Sequence, residues 1–261
     1  MHPLYDVIGS TYSQSRRADP AIVQALARDI RLTDAGAYLD LACGTGNYTS
    51  ALSALGGAWT AVDVSELMLA QARSRDGSIT WIRSNADSLP FPSGSFDAAI
   101  CTLAIHHFES LEAPFEEVRR TLRSGSFVIF TGLAEQMRHY WLCHYFPQMM
   151  KRSIARMPSE ARIRAALNRS GFKRVDVAPF FVTSELQDLF LYSGKHRPEL
   201  YLDGAIRANI SSFANLAAAE ELQVGLARLA ADLESGAFAS IRNACSTAEG
   251  DYVFIIARTD G

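Results

Sequence analysis

Asp40-Leu41-Ala42-Cys43-Gly44-Thr45-Gly46 stands where a short apolar run, Ala37-Tyr38-Leu39-Asp40-Leu41, gives way to a helical pattern. An apolar run stopping at a glycine-rich turn reads as a strand feeding a helix, and glycines there let backbone approach a ligand and accept strained dihedrals. The following helix start offers N–H groups with no partner inside the helix. Two further acids sharpen the signal. Asp63 ends the next run, Trp59-Thr60-Ala61-Val62-Asp63, and Asn85-Ala86-Asp87 follows a third, Ile79-Thr80-Trp81-Ile82. An acid ending the second strand accepts hydrogen bonds from both ribose hydroxyls, and one beyond the third strand can read an adenine amino group. Open α/β sheets bind ligands beyond the carboxyl ends of their strands, so these three features predict one nucleoside crevice. Asp40, a charge deep at the end of a central strand, is costly without a partner, and a ligand ammonium is the natural one.

The same rhythm continues outward. Phe96-Asp97-Ala98-Ala99-Ile100-Cys101 reads as a fourth strand and Ser126-Phe127-Val128-Ile129-Phe130-Thr131 as a fifth, separated by a helix with Phe115, Val118 and Leu122 at core-facing spacing. Strands alternating with helices predict an α/β, doubly wound, mostly parallel sheet. Residues 135–157 are crowded with Met, Trp, Tyr, Phe and His, and read as a lid. A helix from Ser159 to Ser170 stops at Gly171, Phe172 to Val177 resumes a strand, and Asp251 to Ala257 is the final one. The interval between them is too long for a hairpin and reads as a helical, substrate-covering insertion. The expected organisation is a core over residues 1–134, the lid over 135–157, the rest of the core sheet over 158–183 and 251–261, and the cap over 184–250.

Composition narrows the function. The 261 residues are 48% hydrophobic, enough for a sizeable core, and the net charge of −3 comes without a long basic run, which argues against nucleic acid. No stretch of about twenty apolar residues predicts a membrane span. The start, Met1-His2-Pro3-Leu4-Tyr5-Asp6, lacks the regions of a signal peptide, so a cytoplasmic protein is expected. Cys43, Cys101, Cys143 and Cys245 are scattered, as reduced thiols and not as a metal site.

From Tyr5 to Phe130 the chain resembles the class I S-adenosylmethionine-dependent methyltransferases, especially the small bacterial type related to quinone and sterol methyltransferases. The family's Asp-x-Gly-x-Gly-x-Gly loop matches Asp40 to Gly46, with Ala42 in place of the first glycine, a substitution expected to sit in ordinary strand dihedrals. Leu89-Pro90-Phe91-Pro92, Ser95-Phe96-Asp97, His106-His107-Phe108 and Arg119 to Gly125 follow in the family's order. The resemblance implies a Rossmann-like, seven-stranded sheet with an antiparallel last strand, and S-adenosylmethionine as cofactor. It assigns Asp40, Ala42, Gly44 and Gly46 to the methionine part and Asp63 to the ribose. Asp87, with Ala86 beside it, goes to the adenine, Tyr12 and Arg16 to the methionine carboxylate, and Val64, Met68 and Leu103 are expected among the cofactor-binding residues.

Methyl transfer from a sulfonium is an in-line displacement that mainly needs alignment, and a base only if the nucleophile must lose a proton. His106 and His107, where the fourth strand opens, are candidates for that base; the alternative is that they pack within their loop. Tyr140, Trp141 and Tyr145 line an acceptor pocket or are plain core. Arg197 holds an anionic group or belongs to a solvated turn. Asp63 reads a ribose or caps a helix; Asp87 contacts adenine or is a solvated loop acid. The expected partner is a small-molecule acceptor, with a monomer or homodimer as the assembly. A nicotinamide-dependent oxidoreductase shares the glycine turn and ribose acid, but its loop needs a third glycine where Thr49 stands. A non-catalytic sensor that keeps the pocket is the remaining class.

Overall fold

A computed structural model describes residues 16–245 and 247–260. Seven strands form one sheet: β1 (Ala37–Leu41), β2 (Ala58–Asp63), β3 (Thr80–Arg83), β4 (Ala98–Thr102), β5 (Ser126–Thr131), β6 (Arg174–Phe180) and β7 (Tyr252–Arg258). Their spatial order is β3-β2-β1-β4-β5-β7-β6, with β7 antiparallel to both its neighbours and the other pairings parallel. The chain runs outward from β1 through β2 to β3, then returns to place β4 on the other side of β1. The strand order reverses between β1 and β4, the place where open α/β sheets bind ligands at their carboxyl edge.

Side-chain alternation explains why the central strands are apolar throughout. Tyr38, Ile100, Val128 and Phe130 face a cluster built with α1 (Pro20–Asp29), α2 (Asn47–Ser53) and α3 (Glu66–Arg75). Leu39, Leu41, Ala99, Cys101, Phe127 and Ile129 face the opposite one, with α4 (Glu112–Thr121) and α8 (Glu160–Arg169). A parallel sheet covered on both faces needs both sets apolar. The expected fourth strand begins two residues late, because Phe96 makes only an isolated bridge to Leu122.

The lid segment is three helices, α5 (Ala134–Met137), α6 (Leu142–Tyr145) and α7 (Pro147–Arg156). The insertion begins with an irregular stretch up to a 3-10 turn at Pro198–Leu202 and then turns helical: α9 (Gly204–Ala208), α10 (Ser211–Leu216), α11 (Ala219–Ser235) and α12 (Phe238–Ala244). Lid and insertion do not form a separate core. Tyr140, Trp141, Tyr145, Tyr192, Tyr201, Phe213 and Phe238 join the same cluster as Phe130 and Tyr252 of the sheet.

A buried polar network stitches these parts together. Lys195 Nζ lies 2.8 Å from both oxygens of Asp251, and the Val182 N–H donates to Asp251 Oδ2 at 2.8 Å. The Tyr140 hydroxyl donates to the Asp251 carbonyl, and Trp141 Nε1 donates to the Lys195 carbonyl at 3.2 Å. Asp251 is buried, so removing its charge strands the ammonium. Asp251→Asn is expected to cost about 3–5 kcal/mol, lowering the melting temperature by roughly 10 °C in a chain of this size. Adding Lys195→Met should restore part of the loss. Thermal unfolding followed by circular dichroism checks both, and an unchanged melting temperature for the single variant would contradict the network's role.

Candidate cofactor and acceptor site

At the carboxyl end of β1 the chain leaves the sheet through Ala42, whose φ is +57°. The expectation of ordinary strand dihedrals is overturned: the family's glycine position keeps its left-handed backbone with alanine in it, at a cost of about 1–2 kcal/mol. Leu103, at the carboxyl end of β4 across the crevice, has φ +53° and donates its N–H to the Phe130 carbonyl at 2.8 Å. Two strained non-glycine residues thus flank the point where strand order reverses, and strain of this kind clusters at functional sites.

The two loop glycines serve different purposes. A Cβ on Gly44 meets nothing within 4 Å, so the loop leaves open space there. At Gly46 a Cβ lies 2.2 Å from the Trp81 ring, so that glycine is required by packing of the loop against β3.

Asp63, at the end of β2, accepts from the Gly44 N–H through Oδ2 at 2.8 Å and from the Ser65 N–H through Oδ1 at 2.8 Å. It holds the glycine loop against the entry to α3. The capping alternative for Asp63 fails, because Ser65 is the cap, its hydroxyl accepting from the Met68 N–H.

Asp40 is 1% exposed. Its Oδ2 accepts from the Thr49 hydroxyl at 2.6 Å, while its Oδ1 is buried with no partner among the described residues. Burial raises its pKa to about 7, with the Thr49 hydrogen bond opposing and the Asp63 charge adding to the rise. Thr49 stands where a dinucleotide loop needs glycine, and its side chain is what Asp40 uses.

The remaining expected cofactor residues divide. Val64 is 52% exposed beside Asp63, whereas Met68 is buried on the inner face of α3 and is core. Asp87 is exposed in the turn after β3, its N–H donating to Asn85 Oδ1, and Ala86 packs against the second core cluster. Tyr12 lies outside the described residues. Arg16 is paired with Asp188, Nε to Oδ1 at 2.5 Å and Nη2 to Oδ2 at 3.2 Å.

His106 and His107 occupy a 3-10 turn (Ile105–His107) just beyond β4, with ring centroids 4.0 Å apart. His106 Nδ1 is buried without a partner among the described residues. Burial first, then the neighbouring His107 and Arg156, holds His106 well below the ordinary imidazole range. His107 is exposed at the end of the turn, and partial desolvation with Arg156 lowers it as well.

The expected acceptor-lining rings are interior. Tyr140, Trp141 and Tyr145 are at most 2% exposed. Tyr140 stacks on Tyr192 at 3.8 Å, Trp141 meets Phe238 edge-on at 4.9 Å, and the Tyr145 hydroxyl donates to Asp232 at 2.8 Å. Arg197 is not in a solvated turn: its Nη2 donates to the Leu186 carbonyl at 2.5 Å, and its Nε is buried without a partner among the described residues. Sequence reading missed Asp188, Tyr48, Lys195 and Asp251, whose partners lie far away along the chain.

A family profile described as a methyltransferase domain matches residues 39–130, which covers the sheet from β1 to β5. Malonyl-[acyl-carrier protein] O-methyltransferase of Erwinia pyrifoliae is 33% identical over 126 residues, 48% of this chain and 48% of that protein, so the chain spans about half the length of this relative. A ubiquinone/menaquinone biosynthesis C-methyltransferase of Rhizobium johnstonii is 25% identical over 202 residues, 66% of this chain and 78% of the other. A crystal structure from Anabaena variabilis, described as a methyltransferase from an antibiotic biosynthesis pathway, is 34% identical with a TM-score of 0.84, covering 94% of this chain and 99% of that one. With a relative matched at that identity over nearly its whole length, the chain belongs to the class I S-adenosylmethionine-dependent methyltransferases.

Proposed function

We propose that the protein binds S-adenosylmethionine beyond the carboxyl ends of β1, β2 and β3 and catalyses methyl transfer to a small, partly apolar metabolite under the lid. The observation that carries this reading is the buried Oδ1 of Asp40, which has no partner among the described residues, in a strand-to-helix loop that leaves open space at Gly44. A buried carboxylate calls for a cation, and the ammonium of the cofactor's methionine part supplies one. Asp63 suits the ribose because a carboxylate offers about four lone-pair sites. Half-exposed Val64 provides an apolar surface for the base, and Asp87 reads its amino group.

Once bound, S-adenosylmethionine supplies an electrophilic methyl group on a positively charged sulfur. The chain's part is to align the acceptor with it, worth roughly 7–11 kcal/mol when geometry is held well. Tyr140, Trp141 and Tyr145 form the rigid wall behind the acceptor, their polar atoms already bonded within the protein, and Arg197 stands behind that wall. His106 and His107 hold an acceptor hydroxyl and take its proton. Their depressed basicity keeps them unprotonated and ready at pH 7, and transfer occurs as the hydroxyl acidifies in the transition state. The setting of the Anabaena variabilis relative favours an acceptor from specialised metabolism.

Calorimetry should show binding of S-adenosylmethionine and S-adenosylhomocysteine and none of NAD. Asp63→Ala should weaken S-adenosylhomocysteine binding about tenfold or more, since a charge-assisted pair is lost; unchanged affinity would refute the ribose assignment. A methyl-transfer assay over phenols, carboxylic acids, amines and activated carbons then separates an enzyme from a sensor.

The raised pKa of Asp40, about 7, sets a pH dependence. The ammonium needs the ionised carboxylate, so cofactor affinity should be flat above about pH 7 and fall by up to tenfold per unit below it. Asp40→Asn should abolish that slope. For the ligand-free chain the sign reverses: the folded carboxyl holds its proton more tightly than the unfolded one, so this group favours folding increasingly as pH falls from 7 toward 4.

For a hydroxyl acceptor, replacing the catalytic histidine by Asn at 106 or 107 should lower kcat by roughly 10²–10⁴ with S-adenosylhomocysteine affinity within about twofold. Retained kcat in both variants would leave the pair a packing role.

A further inference from the structure

Three separate parts of the chain meet where α2 begins. Arg16, just before α1, makes the two-point ion pair to Asp188, with side-chain exposures of 15% and 2%. The Tyr48 hydroxyl, on α2 two residues past Gly46, donates to Asp188 Oδ2 at 3.0 Å. Asn47 Nδ2 donates to the Arg16 carbonyl at 2.8 Å, fixing the backbone that carries the guanidinium to the residue that follows the glycine loop. Next door, Asp19 Oδ1 caps α1 while its Oδ2 accepts the Gln187 N–H at 2.9 Å. The stretch 187–188 of the insertion is therefore tied twice to residues 16–19 and once to α2.

A carboxylate buried to this degree is retained only with its charge balanced. The pairing leaves Arg16 with one orientation, because Nε and Nη2 must both face Asp188 and the planar fork cannot rotate without breaking both bonds. The Asn47 bond sets the Arg16 backbone beside the residue that follows the loop of Gly44 and Gly46.

We infer that Asp188, a residue of the insertion, is a positioning residue for cofactor binding: it fixes the Arg16 guanidinium beside the glycine loop to receive the carboxylate of the cofactor's methionine part. This rests on the cofactor reading above. It makes the insertion part of the cofactor site as well as a cover for the acceptor, and it couples the N-terminal segment, α2 and residues 187–188 into one unit. Tyr48 supports the arrangement as a neutral donor, since burial and the Asp188 charge hold its phenol well above the usual range.

The test compares two ligands on the full chain: S-adenosylhomocysteine and its decarboxylated analogue, which keeps the nucleoside, the thioether and the amine. Wild type should prefer S-adenosylhomocysteine. Asp188→Asn should lower its affinity about tenfold or more while the analogue changes less than about twofold, so that the preference collapses. Equal losses for both ligands would show a merely structural role, and no loss for either would show none; both overturn the inference. If the unbalanced guanidinium prevents folding, Arg16→Gln with Asp188→Asn removes both charges, and it should restore the wild-type melting temperature while showing the same selective loss. A double variant that keeps the wild-type preference overturns the inference too. Wild type that binds neither ligand overturns the cofactor reading itself, a failure visible before any variant is made.

Discussion

A carboxyl group buried at the end of a central parallel strand is the constraint around which this molecule is arranged. Asp40 lies between β2 and β4 in register, with Ala61 on one side and Ile100 on the other, so no water reaches it through the sheet. Thr49 satisfies one oxygen, and the loop that brings Thr49 into place is the glycine turn itself. The loop in turn needs Asp63 to hold Gly44, and left-handed backbone at Ala42 to leave the strand. Burial, loop shape and the second acid are therefore one problem with one solution. The solution leaves one carboxylate oxygen without a partner among the described residues, and a buried polar atom of that kind calls for an explanation.

The lid and insertion follow a different logic. Their aromatic rings do not enclose an open pocket from outside; they extend the core of the sheet. Phe130 of β5 contacts Phe180, Phe190, Tyr252 and Phe254, and Tyr252 leads through Tyr140 to Tyr192 and Trp141. Moving the 135–157 segment away would expose those rings and break the Trp141 bond to the Lys195 carbonyl. The 135–157 segment is thus fixed by the same packing that stabilises β7, and it presents a surface that does not adapt cheaply.

How much of this was legible in the chain depends on sequence distance. Strand alternation, the helix from Ser159, and the spacing of Asp40, Asp63 and Asp87 are local patterns, and the sheet with its reversal between β1 and β4 follows from them. Ala42 misled because a residue type states a preference while the strand register and the Asp63 contact dictate the dihedral. The lid aromatics at helical spacing read equally as core or lining, and only the rings of Tyr192, Phe238 and Tyr252, far along the chain, decide for core. Asp188 is invisible to local reading: its partners are 172 and 140 residues away. Charged pairs across such separations leave no periodicity, so the ties that hold the insertion to the cofactor loop could be found only in coordinates.

The two histidines show the same interplay of burial and charge acting on chemistry. Arg156 lies near enough to disfavour a second positive charge on either ring, and a field that disfavours imidazolium favours an anion in the same place. A phenol or carboxylic acid presented there loses its proton more readily than in water, which lessens what the imidazoles must do. Desolvation opposes this, because a buried anion is costly unless paired, and the neutral His106 ring with its unpartnered nitrogen offers a single hydrogen bond. Which term wins depends on how close the acceptor oxygen comes to Arg156: within about 4–6 Å the cation dominates, and beyond a screening length of about 8–10 Å only the histidines remain. On the function proposed above, an oxygen nucleophile is therefore served best at the rim of the 3-10 turn, between the guanidinium and the imidazoles, and not deeper among the stacked rings.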